Sequence, residues 1–411
     1  MVLEDKDSGG AAAEASVDAR QARQVASDLS EDNEVEEVTH TYGAALKGFA
    51  AEIPAGKVDD VRSDPRVEFV ADDQVVHASA QTRPTGIRRA DADVSSVLAG
   101  NGSGAVGVDI AILDTGIYSK HPDLTIAGGK DCSIDDGKST YSDDNGHGSH
   151  VAGTAAAEDN ATGVVGTAQG ARLWAVKVLD ATGSGILSDI ICGIDWVTLN
   201  ADIIEVANMS LGAPALNRRG IWYAADDGDC GTGDSTVTAA DAQHQAICES
   251  VDAGVTYVVA VGNERDNSSW YYPAAFDEVI TVSALADYNG LPGGGASPTC
   301  DRWGADDTFA SFSNFGTDVD IGAPGVCIKS TWKGVKKNRR LVPGYKTISG
   351  TSMASPHVAG AAAVYAANNP EASPALVKSF MVASGNTEPL GSDHRDPSHN
   401  HPEPVLQMDN Y

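Results

Sequence analysis

Basic residues are scarce in this chain of 411 residues. It contains 28 lysines and arginines against 58 aspartates and glutamates, which gives a formal net charge of -30 at pH 7. So negative a surface repels the phosphates of nucleic acids and the head groups of anionic membranes. We therefore expect neither a nucleic-acid partner nor a membrane partner. Adaptation to high salt, calcium loading and simple solubility all explain such acidity, and composition does not choose among them.

Long apolar segments are also absent. No run is long enough to cross a bilayer, and the 42% hydrophobic share is typical of a globular protein. The sequence opens with neither the basic patch nor the apolar stretch of a secretory signal peptide. Either translation starts upstream of Met1 or the protein stays inside the cell. The length favours one large domain with a small companion.

Cysteines are few and occur only in the C-terminal four-fifths of the chain. Their even number predicts disulfides formed in an oxidising compartment, although buried free thiols in a cytosolic protein would fit the same count. Several pairings are open. One set joins Cys230 to Cys248 and Cys300 to Cys327, each closing a loop, and leaves Cys132 for Cys192.

Residues 1–79 form a segment without cysteine and with little glycine. Apolar residues at helical spacing predict a helix between Ser16 and Leu29. A short helix signal follows Gly56, and strand-like runs lie around 34–42, 49–53 and 66–70. This segment is therefore predicted to be a small α+β domain.

From Ala80 onward, short apolar runs alternate with alanine-rich helical patterns. This alternation is typical of an α/β fold with a mostly parallel sheet flanked by helices. Reactive groups in such sheets collect beyond the carboxyl ends of the strands. Near the end of the chain, 385–411 has a loop-like composition, with 405–408 as a candidate last strand. The predicted strands are 106–113, 172–179, 203–209, 255–261 and 279–284.

Three polar motifs occur at strand ends or helix starts. Asp114-Thr-Gly follows a buried strand, but alone it also occurs in aspartic proteases and in ordinary turns. His147 and His150 open an alanine-rich helix and could bind zinc, although a third ligand of suitable spacing is lacking. Ser352 opens a helix of small residues, where a serine is often only a cap. Together, in this order, the three motifs are highly specific.

The set resembles the subtilisin-like serine proteases (subtilases, peptidase S8 type) from about Ala80 to the C-terminus. The resemblance implies a three-layer fold and a serine endopeptidase that hydrolyses polypeptides through an acyl-enzyme. By motif match, Ser352 is the nucleophile, His147 is the general base and then the acid, and Asp114 orients His147. His150 is left with a structural role.

The same resemblance implies where the substrate binds. Asn263 would donate its side-chain amide to the oxyanion beside the backbone N–H of Ser352. Ser210, Leu211 and Gly212 match the segment that pairs with the peptide, and Gly262, next to Asn263, is also expected to bind substrate. Tyr271 and Tyr272 match the floor of the pocket for P1, the residue before the scissile bond, and the bulk of Tyr271 would favour small or medium P1 side chains. Glu264 at the rim would instead attract a basic P1, so specificity stays open.

A structural calcium ion is also implied. The motif His121-Pro-Asp123 matches the family's calcium-binding aspartate, and calcium prefers carboxylate, amide and backbone oxygens. An insertion at 214–247, rich in aspartate around Cys230, is either a solvated acidic loop or a second cation site. The expected calcium ligands are Gln81, Asp123, Glu158, Asn160, Thr162 and Val164.

Residues 1–79 contain stretches, 44–54 and 64–74, that resemble the I9-type inhibitory propeptides of subtilases. In that family a strand precedes the first helix, and only Val2 and Leu3 are left to supply it, which implies an N-terminally truncated propeptide before a catalytic domain at 80–411. We expect self-cleavage near Ala78 to Ala80, with the propeptide persisting as an inhibitor. The implied protein is a secreted, monomeric zymogen. An intracellular processing protease and an inactive homologue that binds peptides or calcium are the alternatives.

Overall fold

The chain forms two compact units, Met1–Ala78 and Ser79–Tyr411. A disulfide joins each of the expected pairs: Cys132 to Cys192, Cys230 to Cys248, and Cys300 to Cys327. The computed structural model describes residues 2–3, 11–32, 35–44, 46–71, 81–102, 104–133, 140–216, 220, 222–223, 225, 230, 238–337, 340–386 and 403–411.

The first unit is an antiparallel sheet with the strand order β2-β3-β1-β4 and two helices. Helix α1 presents Ala22, Val25, Ala26 and Leu29 to the core, where they meet Phe49 of β3. This helical spacing of apolar residues produces one buried face, as predicted. The elements are β1 (Val2–Leu3), α1 (Ala11–Glu31), β2 (Glu37–Tyr42), β3 (Gly48–Glu52), α2 (Val58–Ser63) and β4 (Val67–Phe69).

The second unit is built on a sheet with the order β13-β12-β10-β8-β5-β7-β6, with β14 also beside β12. Every pairing in it is parallel except that of β12 with β13. The mostly parallel α/β fold is therefore confirmed. Its strands are β5 (Asp109–Asp114), β6 (Ile126–Asp131), β7 (Arg172–Lys177), β8 (Val206–Met209), β10 (Thr256–Ala260), β12 (Ile280–Ala286), β13 (Thr308–Phe309) and β14 (Ile321–Pro324).

Helices cover both faces of this sheet. Along β5, Ile110 and Ile112 pack in the layer of α4 and α7, whereas Ala111 and Leu113 pack in the layer of α5 and α6. Because both faces are covered, the strands are continuous apolar runs. No helix among the described residues has the length and apolarity needed to cross a bilayer. The helices are α3 (Thr85–Arg89), α4 (His147–Ala156), α5 (Leu187–Thr198), α6 (Ala239–Asp252), α7 (Thr351–Asn368) and α8 (Pro374–Ser384).

Two strand pairs lie outside the main sheet. Strands β9 (Ala213–Pro214) and β11 (Tyr271–Tyr272) form one, and the long hairpin of β15 (Ile328–Lys337) and β16 (Arg340–Ile348) forms the other. The candidate last strand at 405–408 is wrong: Val405 makes only isolated bridges, although the segment is hydrogen-bonded to Gly322 of β14. The rest of the predicted C-terminal loop, 387–402, lies outside the described residues.

Candidate active site

Asp114 ends β5 at the carboxyl edge of the sheet. Its buried carboxylate faces the ring of His147, whose Nδ1 lies 2.8 Å from Oδ1 and 2.9 Å from Oδ2. The backbone N–H of Thr115 donates to Oδ1 at 2.7 Å. A carboxylate in this position favours the tautomer with its proton on Nδ1, which leaves Nε2 free to accept another. The structure thus places two of the three predicted catalytic side chains in direct contact.

His147 is the first residue of α4, and the buried carboxylate of Asp143 shapes the turn before it. Gly148 allows the close approach to β5, because a Cβ there would lie 2.2 Å from the carbonyl oxygen of Gly116. Asp143 was not among the predicted site residues, although it lies four positions before His147. Its carboxylate accepts hydrogen bonds from the Thr115 hydroxyl at 2.9 Å, the N–H groups of Asn145 and Gly146 at 2.9 and 2.7 Å, and the Ser149 hydroxyl at 2.6 Å.

Opposing influences act on the pKa of His147. Burial disfavours the charged imidazolium, but the ring is 27% exposed, which limits that effect. The charge of Asp114 and its hydrogen bond favour the imidazolium, with a further contribution from Asp143, and the pKa of His147 is raised. The ring therefore takes up a proton more readily than a free histidine, as a general base in catalysis must.

Ser352 lies at the start of α7 and is hydrogen-bonded to Ser210. Its hydroxyl donates to the carbonyl oxygen of Ser210 at 3.3 Å, and the Ser210 hydroxyl donates to the carbonyl of Ser352 at 3.0 Å. The Ser352 hydroxyl is thus directed to Ser210 rather than to His147 in this state. Without substrate, hydrogen bonds between catalytic groups are often incomplete and form only in the bound complex.

Asn263 follows β10 and faces the start of α7. Its Oδ1 accepts hydrogen bonds from the backbone N–H of Thr351 at 2.9 Å and from the Thr351 hydroxyl at 3.1 Å. Because these bonds hold the oxygen end of the amide, the Nδ2 end is left as a donor directed away from Thr351. Thr351 is an orienting residue that the motif comparison did not identify.

A cavity of about 620 Å³ lies beside His147 and contains the predicted peptide-binding segment. Ser210, Leu211 and Gly212 line one wall, as the resemblance implies. The lining also includes residues 182–185 and Ile190, which were not predicted. Of the two tyrosines expected at the P1 floor, Tyr272 lines this cavity and Tyr271 is not among its lining residues.

The remaining predicted substrate contacts lie around the end of β10. The side chain of Tyr271 is buried, and its hydroxyl donates to Asp266 Oδ2 at 3.4 Å. Burial raises the pKa of Tyr271 to about 12, so its hydroxyl stays neutral. Gly262 has a φ of +105° and donates its N–H to the Thr351 hydroxyl at 3.3 Å. The carboxylate of Glu264 accepts a hydrogen bond from the backbone N–H of Asn263 at 2.8 Å, which turns the Glu264 side chain inward.

Two other histidines near the site are structural. His150 is fully buried, its Nε2 lies 3.0 and 3.1 Å from the carbonyl oxygens of Ile328 and Lys346, and burial lowers its pKa to about 3. His357 in α7 is also buried, and its pKa falls to about 4 for the same reason. His147 binds Asp114 through Nδ1 and His150 binds backbone carbonyls through Nε2, and among the described residues neither histidine belongs to a group of three or more potential metal ligands.

The six expected calcium ligands lie close together. The side-chain amide of Gln81 bridges the carbonyl oxygens of Glu158 at 2.7 Å and Val164 at 3.1 Å. The amide of Asn160 lies 3.2 Å from Asp123 Oδ1 and also accepts the N–H of Thr162 at 2.8 Å. These groups supply carboxylate, amide and carbonyl oxygens, the donor set that suits calcium, once the Gln81 and Asn160 amides are turned to present oxygen.

The acidic insertion offers a different cluster. Atoms of Cys230, His244, Cys248 and Glu278 lie within 4.8 Å of one another, but the two cysteines are joined in a disulfide. His244 Nε2 instead lies 2.7 Å from Glu278 Oε2. In this oxidised state the cluster lacks thiolate ligands for a metal. The insertion's aspartates Asp226, Asp227, Asp229 and Asp234 lie outside the described residues.

A histidine on a buried carboxylate, together with a serine at a helix start and an oriented amide, is typical of a serine hydrolase. The profile of the subtilase family matches residues 105–398, and that of the peptidase inhibitor I9 family matches residues 3–79. The chain therefore belongs to the subtilase family, as a serine endopeptidase with an I9 propeptide domain. The predicted family and enzyme class are confirmed.

Individual relatives agree with this assignment. The chain is 36% identical over 369 residues to an alkaline protease of Shouchella clausii, covering 89% of this chain and 82% of that protein. It is 34% identical over 373 residues to subtilisin E of Bacillus subtilis (strain 168), covering 88% and 83%. It is similar to a solved cold adapted subtilisin-like serine proteinase, with 31% identity, a TM-score of 0.55, and coverage of 74% of this chain and 89% of that one.

Proposed function

We propose that this enzyme hydrolyses peptide bonds through an acyl-enzyme formed on Ser352, with His147 as the general base and Asp114 as its orienting carboxylate. The observation that carries the proposal is the contact of His147 Nδ1 with both carboxylate oxygens of Asp114, at 2.8 and 2.9 Å. This contact leaves Nε2 as the ring's proton acceptor.

The proposed reaction has two matched halves. Ser352 Oγ turns from the Ser210 carbonyl and attacks the peptide carbonyl while its proton passes to His147 Nε2. The C–N bond then breaks, and the leaving amine takes that proton. Water adds to the acyl carbon by the same route in reverse, which releases the acid and regenerates the Ser352 hydroxyl. Nδ2 of Asn263 and the backbone N–H of Ser352 would stabilise the oxyanion in both halves.

A fluorophosphonate probe tests the nucleophile directly. After removal of the N-terminal unit, we expect one covalent label on Ser352, located by peptide mass spectrometry, and none in Ser352→Ala. Ser379→Ala is the matched control, since Ser379 lies in α8 and its hydroxyl donates to the Ala375 carbonyl. Unlabelled wild-type enzyme would favour the inactive homologue, and labelling of the Ser352→Ala variant would assign the nucleophile elsewhere.

We also propose that residues 1–79 inhibit the catalytic domain until self-cleavage near Ala78 to Ala80. The I9 match at 3–79 and the compact unit at 1–78 support this assignment. The segment 72–80 itself lies outside the described residues. Purified Ser352→Ala should remain at full length, whereas processing of this variant to the mature size would contradict intramolecular cleavage.

The enzyme would also hold a structural calcium ion at Asp123, Gln81, Asn160 and the carbonyl oxygens of Glu158, Thr162 and Val164. Bound calcium would tie the segment at Gln81 to the loop at 158–164. Saturation to 1,000 times the Kd would stabilise the fold by about 4 kcal/mol. We expect a chelator to lower the Tm of wild type and of the exposed-site control Asp202→Asn, but to have little effect on Asp123→Asn. A wild-type Tm that changes with neither calcium nor chelator would contradict the site.

Secretion and a monomeric state complete the proposal. The three disulfides fit an oxidising compartment, and one of the relatives is called an extracellular serine proteinase, that of Thermus sp. strain Rt41A, 36% identical over 350 residues. Sequencing the N-terminus of protein recovered from culture medium would test secretion and processing together. Recovery from the cytosol alone would favour an intracellular processing protease.

A further inference from the structure

Gln243 is a polar residue on the buried face of α6, and its side chain is only 1% exposed. Ala240 and Ile247 lie one turn before it and one turn after it on the same face, and both belong to the apolar core. The periodicity of this face predicts an apolar residue at position 243. The amide therefore breaks the apolar pattern of the helix.

The amide of Gln243 is also unpaired at its donor end. Its Nε2 is buried and has no hydrogen-bond partner among the described residues. A buried donor without an acceptor destabilises a fold, and such groups are rare in native proteins. The neighbouring His244 shows the usual arrangement, since its Nε2 lies 2.7 Å from Glu278 Oε2. We therefore expect the Gln243 amide to be paired by a group that binds to the protein.

Gln243 lines the 620 Å³ cavity that also contains His147 and the segment 210–212. Of the residues that line this cavity, it is the only one with a buried side-chain polar atom that lacks a partner in the described part of the chain. Other polar side chains of the lining are bonded within the protein. The Thr115 hydroxyl donates to Asp143 at 2.9 Å, and the Asn145 amide donates to the Ala181 carbonyl at 3.0 Å. The Gln243 amide is therefore open to a group that enters the cavity.

The other lining residues indicate what kind of group this would be. Ile190, Leu211 and Tyr272 line the cavity and pack against the same core cluster as Ala240 and Ile247, so the cavity is largely apolar on this side. The lining contains no lysine, arginine, aspartate or glutamate. A carboxylate or an ammonium group would lose its hydration there without gaining a counter-ion, and an aliphatic side chain would leave the amide unpaired. An uncharged side chain with an acceptor oxygen avoids both costs.

We propose that Gln243 is a specificity-determining residue that selects substrates with an amide side chain, that of glutamine or asparagine, at the peptide position that fills this part of the cavity. The side-chain carbonyl of the substrate would accept a hydrogen bond from Gln243 Nε2, while its stem packs on the apolar lining. This inference rests on the proposed function, in which the cavity beside His147 takes part of the peptide. A site built to hydrogen-bond a substrate group discriminates against analogues that lack it, because its own polar group is then left unpaired.

A series of quenched fluorescent peptides tests the proposal on enzyme that is expressed as the full chain and allowed to mature. The peptides place glutamine, glutamate or methionine, three side chains of similar length, at one position at a time around a fixed scissile bond. At one of these positions we expect wild type to have a kcat/KM about tenfold higher for glutamine than for either of the other two residues. In Gln243→Met, the ratio of glutamine to methionine at that position should fall to one or below.

Gln245→Met is the matched control, since Gln245 is exposed on the same helix two residues away. It should keep the wild-type ratios. Because Gln243→Met removes an unpaired buried amide, its Tm should equal or exceed that of wild type, which separates lost selectivity from lost folding. A Tm of Gln243→Met well below that of wild type would assign the amide to the stability of the fold and overturn its role in specificity.

The peptide series also distinguishes this inference from the proposed function. Cleavage by wild type without a preference for glutamine at any position would overturn the role of Gln243 and leave the proposed function standing. A preference that survives in Gln243→Met, or one that is lost equally in Gln245→Met, would have the same meaning. Failure of wild type to cleave any peptide of the series would overturn the proposed function and this inference with it.

Discussion

The two helix starts that meet in the cleft differ in how far they are organised without substrate. At α4, both carboxylate oxygens of Asp114 face His147 Nδ1, at 2.8 and 2.9 Å. At α7, the Ser352 hydroxyl is bonded to the Ser210 carbonyl at 3.3 Å. Among the described residues, Nδ2 of Asn263 has no acceptor.

The starts of α4 and α7 therefore differ in whether their proposed catalytic groups are already positioned before substrate binds. The α4 side sets a protonation state in advance, because its partners are all protein groups around a buried carboxylate. In the proposed reaction the α7 side is completed by substrate, since Ser352 exchanges one acceptor for another and Asn263 receives an oxyanion. Substitutions on the two sides should therefore leave different kinetic signatures.

The largest effect should come from the α4 side. Asp114→Asn replaces an acceptor with an amide that can donate to Nδ1, which favours the wrong tautomer of His147. We expect kcat to fall about 10⁴-fold while the fold is retained. Asp202→Asn, an exposed change at the opposite end of the sheet, should leave the rate unaltered. Steady-state kinetics with circular dichroism measure both quantities, and a loss below about tenfold would mean that another group orients His147.

A smaller effect should come from the α7 side. Asn263→Ala removes the proposed oxyanion donor, and the established cost of one such donor in subtilisin is about 10² to 10³ in kcat. The loss should lie in kcat, with KM little changed, because the oxyanion exists only in the transition state. Asn289→Ala on a remote loop is the matched control. A change confined to KM would instead assign Asn263 to substrate binding.

Short motifs single out the three residues proposed to react because of where these residues lie. Asp114 ends a buried strand, while His147 and Ser352 begin helices, and parallel α/β topology brings such positions to one edge of the sheet. The strands that were missed have weak local signals. Strand β6 contains two adjacent glycines, and β15 and β16 are basic and polar, so neither shows the apolar run of a buried strand.

Contacts between distant segments were beyond prediction from local pattern. Which of Tyr271 and Tyr272 reaches the cavity depends on the register with Ala213 and Pro214, because successive side chains in a strand face opposite sides. The orientation of Glu264 depends on Asn314, whose amide donates to its carboxylate at 2.8 Å. Such pairings are set by tertiary packing rather than by sequence neighbours.

The smallest expected effect is on the pH dependence of activity. His147 acts as a base only when neutral, and its pKa is raised above the ordinary 6.5 because Asp114 outweighs the effect of burial. Activity should therefore be present at high pH and be lost as pH falls through the raised pKa, about tenfold in kcat/KM per unit below it. Asp114→Asn, measured through its residual activity, should shift this acid limb to lower pH because the favourable charge is gone. Asn263→Ala should leave the limb in place, since it does not touch the ring. An equal shift in both variants would show that the two helix starts are not independent, because a change at α7 would then alter the protonation of His147.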